Sequence, residues 1–199
     1  MITIGLTGGI GSGKSVVASL LEVYGMQVYS ADEESKRLLV ASPLLRQQLT
    51  ALLGDAVYDA GGLNRRLMAS LIFNDAKLLE QVNAIIHPAV CRHFRLWAGR
   101  QTTKYAILES AILFESNFDR YVDFCLTVYS PHELRIKRVM ARDQITETEV
   151  LQRMQHQLPD EEKMKRAGYV IYNDEKQPLI PQIEQLLQHI APPIKNLNC

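Results

Sequence analysis

Ile2-Thr3-Ile4-Gly5-Leu6-Thr7 is a short apolar, β-branched run, the pattern of a buried strand. The period then changes. From Ser15 to Tyr24, Val16, Val17, Leu20 and Leu21 recur at helical spacing, and Gly25 stops the segment. Gln27-Val28-Tyr29-Ser30 predicts a second strand ending at Ala31-Asp32, and Glu33 to Val40 a helix. Residues 33–99 contain no convincing strand. Ser42-Pro43 opens a helix there, Asn64 caps another over Arg65 to Phe73, Asp75 a third over Ala76 to Ile85, and His87-Pro88 starts a fourth reaching Ala98. Strand patterns return at Tyr105 to Ser110 and Asp123 to Tyr129. Ser130 as cap, Pro131 at the first position and Glu133 begin a helix to Arg142. Thr146 to Glu149 reads as a capping box for a short helix ending near Gln157. Tyr169 to Asn173 is a last strand, and Ile180 to Ile190 a closing amphipathic helix. Five strands alternating with helices predict an α/β fold: a parallel sheet between two helical layers.

The turn between the first strand and the first helix reads Gly8-Gly9-Ile10-Gly11-Ser12-Gly13-Lys14-Ser15, matching G-x-x-x-x-G-K-[ST] in the context that makes it a phosphate site. Glycines there let successive backbone N–H groups converge on one anion, and the following helix adds its free amides and positive dipole end. Lys14 supplies a charge for the β/γ-phosphates, and the Ser15 hydroxyl is a natural Mg²⁺ ligand. The pattern specifies a nucleotide and leaves the reaction open.

The 199 residues fit one large domain or a core carrying an insertion. Lys+Arg and Asp+Glu balance at 22 each, which argues against a polynucleotide track or an anionic membrane surface as partner. No apolar run approaches a membrane span, and the first strand begins without a signal-peptide pattern, so a cytoplasmic location is expected. Cys91, Cys125 and Cys199 have no metal-ligand rhythm and read as reduced thiols. Nothing in the pattern specifies an oligomeric state.

Several side chains have two readings. Asp32, just past a strand's carboxyl end, could accept a proton from an acceptor hydroxyl or merely cap the next helix. Glu109 could place Mg²⁺ through water or face solvent. Arg138 and Arg142, four apart on one helix face, suit clamping of ATP phosphates or form a solvated basic face. Arg65 and Arg66 are a substrate-anion site or a helix-start surface. His87 before proline is read as a turn residue, and Ser110, Cys91 and His93 show no triad logic.

Separated pieces bring these together. Leu6-Thr7-Gly8-Gly9-Ile10-Gly11-Ser12-Gly13-Lys14-Ser15, Ala31-Asp32, Leu63-Asn64-Arg65-Arg66 with Ile72-Phe73, His87-Pro88, Ile112-Leu113-Phe114-Glu115, Arg138 with Arg142-Asp143, Gln157-Leu158-Pro159, and Val170-Ile171 with Asn173 follow one another in the order of one family. On these pieces the chain resembles the dephospho-CoA kinases. The resemblance implies a P-loop NTPase core over 1–32 and 100–199, a helical CoA-side domain over 33–99 and a small lid over 138–160. It implies ATP-dependent phosphorylation of the ribose 3′-hydroxyl of dephospho-CoA, with Mg²⁺. Asp32 matches the acid facing that hydroxyl. Arg65, His87, Leu113, Phe114 and Glu115 fall on the substrate side, and Arg138 and Arg142 in or beside the lid. Val16, whose N–H can still reach a phosphate, stands where the family commonly has Thr. Ala111 replaces a Pro, Gly168 an Asp, and Tyr29-Ser30 a more apolar or acidic pair. The rivals are another small-molecule P-loop kinase, for a nucleoside, nucleotide or sugar acid, and a nucleotide-driven switch or motor; the latter lacks an Asn-Lys-x-Asp guanine signature.

Overall fold

A computed structural model describes residues 1–59, 62–73 and 75–190. Among these residues seven strands run β1 Ile2–Thr7, β2 Gln27–Ser30, β3 Tyr58–Asp59, β4 Gly62–Leu63, β5 Tyr105–Glu109, β6 Phe124–Tyr129 and β7 Tyr169–Tyr172. The helices are α1 Lys14–Val23, α2 Ala31–Ala41, α3 Pro43–Leu53, α4 Arg65–Phe73, α5 Ala76–Ala98, α6 His132–Asp143, α7 Glu147–Met154, α8 Asp160–Arg166 and α9 Leu179–Ile190. Cys199, counted above among the thiols, lies outside the described residues.

Five strands form one parallel sheet in the order β2-β5-β1-β6-β7, so the strand that feeds the glycine-rich turn is central. Alternation along the strands builds two cores. Ile107 of β5, with Ile4 and Leu6, faces Val17 and Leu21 of α1 and Ile183 and Leu186 of α9. Ala106 and Leu108 face the other way, onto a cluster with Leu39 of α2, Leu49 of α3, Met68 of α4 and Phe94 of α5. The expected helix–sheet–helix sandwich is therefore present.

The register fixes the site. Leu6 pairs with Glu109, and Glu109 with Ser30. The segments that follow these residues, the glycine turn, Ser110-Ala111 and Ala31-Asp32, thus leave the sheet side by side at its carboxyl edge, where open parallel sheets bind ligands.

Four local expectations are corrected. The helix pair expected on either side of His87-Pro88 is one 23-residue helix, α5, with Pro88 inside it. An interior proline costs about 3 kcal/mol. Val82, Ile86, Val90 and Phe94 continue one buried stripe through it, each contributing roughly 1.5–3 kcal/mol by burial, so packing wins. Residues 33–99 do hold strands, the two-residue antiparallel pair β3–β4. Ser130 does not cap α6: Pro131 occupies that position, and the Ser130 hydroxyl accepts from Arg138 Nη1 at 3.1 Å. Finally, α8 has no counterpart in the sequence pattern. Its acids Asp160, Glu161 and Glu162 in the first turn and Lys163, Lys165 and Arg166 in the last complement the helix dipole without an apolar period. The caps at Asn64, Asp75 and Thr146 form as read, with side-chain oxygens accepting from Leu67, Leu78 and Glu149 backbone N–H groups.

Candidate active site

The turn after β1 folds as a nest because Gly11 and Gly13 take φ of 81° and 85°, in the left-handed region that other residues resist. It is pinned from outside. Arg135 of α6 donates from Nε to the Ile10 carbonyl at 2.8 Å, and the Ile10 N–H donates to Gln157 Oε1 at 2.8 Å. Asn173, after β7, donates from Nδ2 to the Ser12 carbonyl at 2.8 Å. Arg135 is itself paired with Asp160 of α8, and its burial holds its pKa below the ordinary arginine value.

Around this nest opens a cavity of about 470 Å³. It is lined by Gly8, Gly9, Gly11, Gly13, Lys14 and Ser15 of the nest, by Asp32 and Ala111, and by Arg138, Arg142 and Gln157. Lys14 is ion-paired with Glu109. Burial pushes its ammonium down to about 8, with the Asp32 carboxylate opposing that shift and the Lys163 charge adding to it. Lys14 therefore stays mostly protonated at neutral pH in a weakly solvated position, where its charge acts strongly on a phosphate. Asp32 sits in the first turn of α2 with an exposed carboxylate, and Ser30, not Asp32, takes the cap position of that helix. Arg138 is held by Ser130, by the Asn173 carbonyl at 3.2 Å and by Glu175 at 3.1 Å. Arg142 stands at the rim, its guanidinium on Asp143 at 2.7 and 3.1 Å.

Other predicted residues lie elsewhere. Ser12 is buried beneath the nest with an unpartnered hydroxyl, and Val16 is 52% exposed on α1. Leu113 and Phe114 are fully packed core side chains: Leu113 covers Gly5 of β1, and Phe114 carries the Arg166 guanidinium at 4.4 Å. They anchor the segment after β5. Arg65 is exposed at the start of α4, close enough for its charge to act on Glu33 beside Asp32. His87 and Glu115 share a second cavity, about 500 Å³, between α5 and the segment 115–121. Burial lowers the His87 pKa, leaving a neutral ring against Phe118 at 5.3 Å. Asn83, Asn117 and Arg120 add polar groups to that wall.

Arg135 and Lys163 were not singled out from sequence, where both look like solvated cations on charged helices. Gly168 is explained by packing: a Cβ there would stand 2.5 Å from the Phe124 ring. Cys91 and Cys125 are free thiols whose pKa values burial raises to about 11. Among the described residues no helix is long and apolar enough to cross a membrane, and no cluster of three or more His, Cys, Asp or Glu could cage a metal.

A strand, a phosphate nest, a half-buried lysine and a carboxylate lining one cavity can hold a triphosphate and address a hydroxyl. The chain is similar to known proteins along most of its length. The profile of a family described as Dephospho-CoA kinase matches residues 2–178. A dephospho-CoA kinase of Bacteroides fragilis is 48% identical over 187 residues, spanning 94% of this chain and 91% of the relative. The crystal structure of TT1252 from Thermus thermophilus covers 96% of this chain and 98% of its own, at 35% identity and a TM-score of 0.83. Dephospho-CoA kinase from Campylobacter jejuni shares the fold, with a TM-score of 0.67 at 21% identity over 95% of this chain and 96% of its own.

Proposed function

Because the chain belongs to the dephospho-CoA kinase family, we propose a division of labour among its residues for the reaction of that family. The reaction is transfer of the γ-phosphoryl group of ATP to the ribose 3′-hydroxyl of dephospho-CoA, which completes coenzyme A. The observation that carries the assignment is that Asp32 and the phosphate nest line one cavity.

The N–H groups of Gly8, Gly9, Gly11, Gly13, Lys14 and Ser15 form the pool that surrounds the ATP phosphates, whereas those of Ser12 and Val16 are given to the Gly9 and Gly13 carbonyls at 3.0 Å. Lys14 exchanges its pairing with Glu109 for the β/γ-phosphate oxygens. Arg138 and Arg142, which line the same cavity, reach the same oxygens and offset the charge that builds on the transferring group. Asp32 orients the acceptor hydroxyl and takes its proton as the bond to phosphorus forms. The donors nearby fit Mg²⁺: the Ser15 hydroxyl and the Asp32 and Glu109 carboxylates are hard oxygens too few to cage an ion alone, and Mg²⁺ is usually held by one or two such groups plus phosphates. Held there by Ser15, with the Asp32 and Glu109 carboxylates beside it, such an ion would supply positive charge to offset that of the phosphates.

Dephospho-CoA lies across the edge of the sheet, its ribose at Asp32 and its remainder against the helical unit 33–99. Arg65 reaches its anionic groups, and the cavity of His87 and Glu115 takes a polar portion. Leu113 and Phe114 serve this side only by holding Glu115 in place. Residues 138–160 act as the lid over the 1–32 and 100–199 core, in a cytoplasmic enzyme.

Asp32→Asn tests the assignment. Transfer should fall by about 100-fold or more, within the range general-base removal produces, while the affinity for ATP changes little. Wild-type transfer in that variant would take the base role from Asp32.

A further inference from the structure

Lys163 is the one charged side chain at 0% exposure among the described residues. An ammonium is not removed from water without cause, because its desolvation costs several kcal/mol unless strong partners replace the solvent. Its partners are specific. Nζ donates to the Ala111 carbonyl at 2.7 Å and pairs with Glu115 Oε1 at 3.0 Å. Ala111 lines the nucleotide cavity, and Glu115 lines the second cavity beside α5. The same Glu115 oxygen accepts the Leu158 N–H at 2.8 Å, directly after Gln157, which holds Ile10 of the nest. Glu115 Oε2 is buried without a hydrogen-bond partner. One turn before Lys163 on α8, Asp160 carries the Arg135 guanidinium that grips the other side of Ile10.

We propose that Lys163 is a positioning residue for phosphoryl transfer, a buried cation between two cavities that fixes the Ala111 wall of one and the Glu115 wall of the other. It makes occupancy of each site favour occupancy of its neighbour. The inference rests on reading the α5 cavity as part of the acceptor site. Lys163 touches neither substrate. A ligand that draws on Glu115 shifts the carboxylate that shares Lys163 with Ala111, and the Leu158 N–H moves with it. The nucleotide wall and the Gln157 contact to the nest respond together. Coupling of this kind is reciprocal.

The test is calorimetric titration of dephospho-CoA with and without a non-hydrolysable ATP analogue, together with steady-state kinetics, on wild type, Lys163→Met and Glu115→Gln. In wild type the analogue should tighten dephospho-CoA binding by about 5-fold or more. In each variant that factor should collapse to within about 2-fold of unity and kcat should fall by about 10–100-fold; in Lys163→Met, whose side chain touches neither ligand, each separate affinity should move by less than about 3-fold, whereas Glu115→Gln should weaken dephospho-CoA binding as well and leave the affinity for the ATP analogue within about 3-fold. A merely structural lysine would lower the melting temperature or the active fraction and leave the coupling factor intact. Should Lys163→Met not fold, Glu115→Gln carries the measurement, since its amide oxygen can still accept from Leu158. Ala84→Trp, which fills the α5 cavity, keeps the two ideas apart. An unmoved KM for dephospho-CoA in that variant overturns the acceptor-cavity reading. Persistent coupling in Lys163→Met and Glu115→Gln, or none in wild type, overturns the role of Lys163.

Discussion

Substituting Gly9 by alanine should be among the most damaging single-methyl changes in this chain, and the reason lies in Arg135. A Cβ on Gly9 would stand 2.3 Å from Nη2, 2.5 Å from Cζ and 2.8 Å from Nη1 of that side chain. An arginine tip normally swings aside. This one is 6% exposed, hydrogen-bonded through Nε to the Ile10 carbonyl and paired through Nη1 with Asp160. Making room breaks both contacts. Breaking a buried ion pair costs about 3–5 kcal/mol. Asp160 keeps 16% exposure and can rehydrate in part, which brings the expected loss to roughly 2–4 kcal/mol. For a chain of this size that is a fall of roughly 4–16 °C in Tm. The assay is thermal and urea unfolding of Gly9→Ala, Arg135→Met and the double variant. With Arg135 already shortened, the added methyl meets nothing rigid, so Gly9→Ala should cost under about 1 kcal/mol in that background. Additive losses, or a Gly9→Ala protein as stable as wild type, would refute the claim that the guanidinium is locked beneath the loop.

The Lys14 ammonium, near 8 in the free protein, should gain a proton when a nucleotide's phosphates surround it. Affinity for ATP is then greatest below pH 8 and falls by up to tenfold per unit above it. Calorimetry in buffers of different ionisation enthalpy at about pH 8 should find roughly half a proton taken up, absent in Lys14→Met. Flat affinity from neutrality upward would contradict this. Gly168→Asp should destabilise by about 1–3 kcal/mol because its Cβ meets Phe124, and Phe124→Leu should relieve most of that loss. Urea midpoints of the two single variants and the double decide it.

What sequence could foretell divides by range. The phosphate nest, the strands and the caps at Asn64 and Asp75 are written in adjacent residues, and local backbone chemistry suffices to read them. Asp32 could be placed at a strand end but not told apart from a helix cap, because its proximity to Lys14 depends on the register between β2, β5 and β1. Pro88 misleads locally. The every-fourth-residue stripe of Val82, Ile86, Val90 and Phe94 was the signal that the helix passes through it. Arg135 and Lys163 gave no signal at all: their partners Asp160, Glu115 and the Ala111 carbonyl lie 25 to 52 residues away, and only the folded chain shows cations on charged helices turned inward. Leu113 and Phe114 were legible as a motif, yet burial makes them supports of the site.

Ile10 is held at both of its peptide groups, the N–H by Gln157 and the carbonyl by Arg135. The loss of freedom that a flexible glycine-rich loop would suffer on meeting its ligand has therefore been absorbed into folding. Nucleotide capture is left to restrict little beyond the nucleotide itself. Affinity for ATP and the integrity of α6 and α8 become one quantity seen from two sides, so mutations far along the chain that loosen those helices will surface first as weak nucleotide capture.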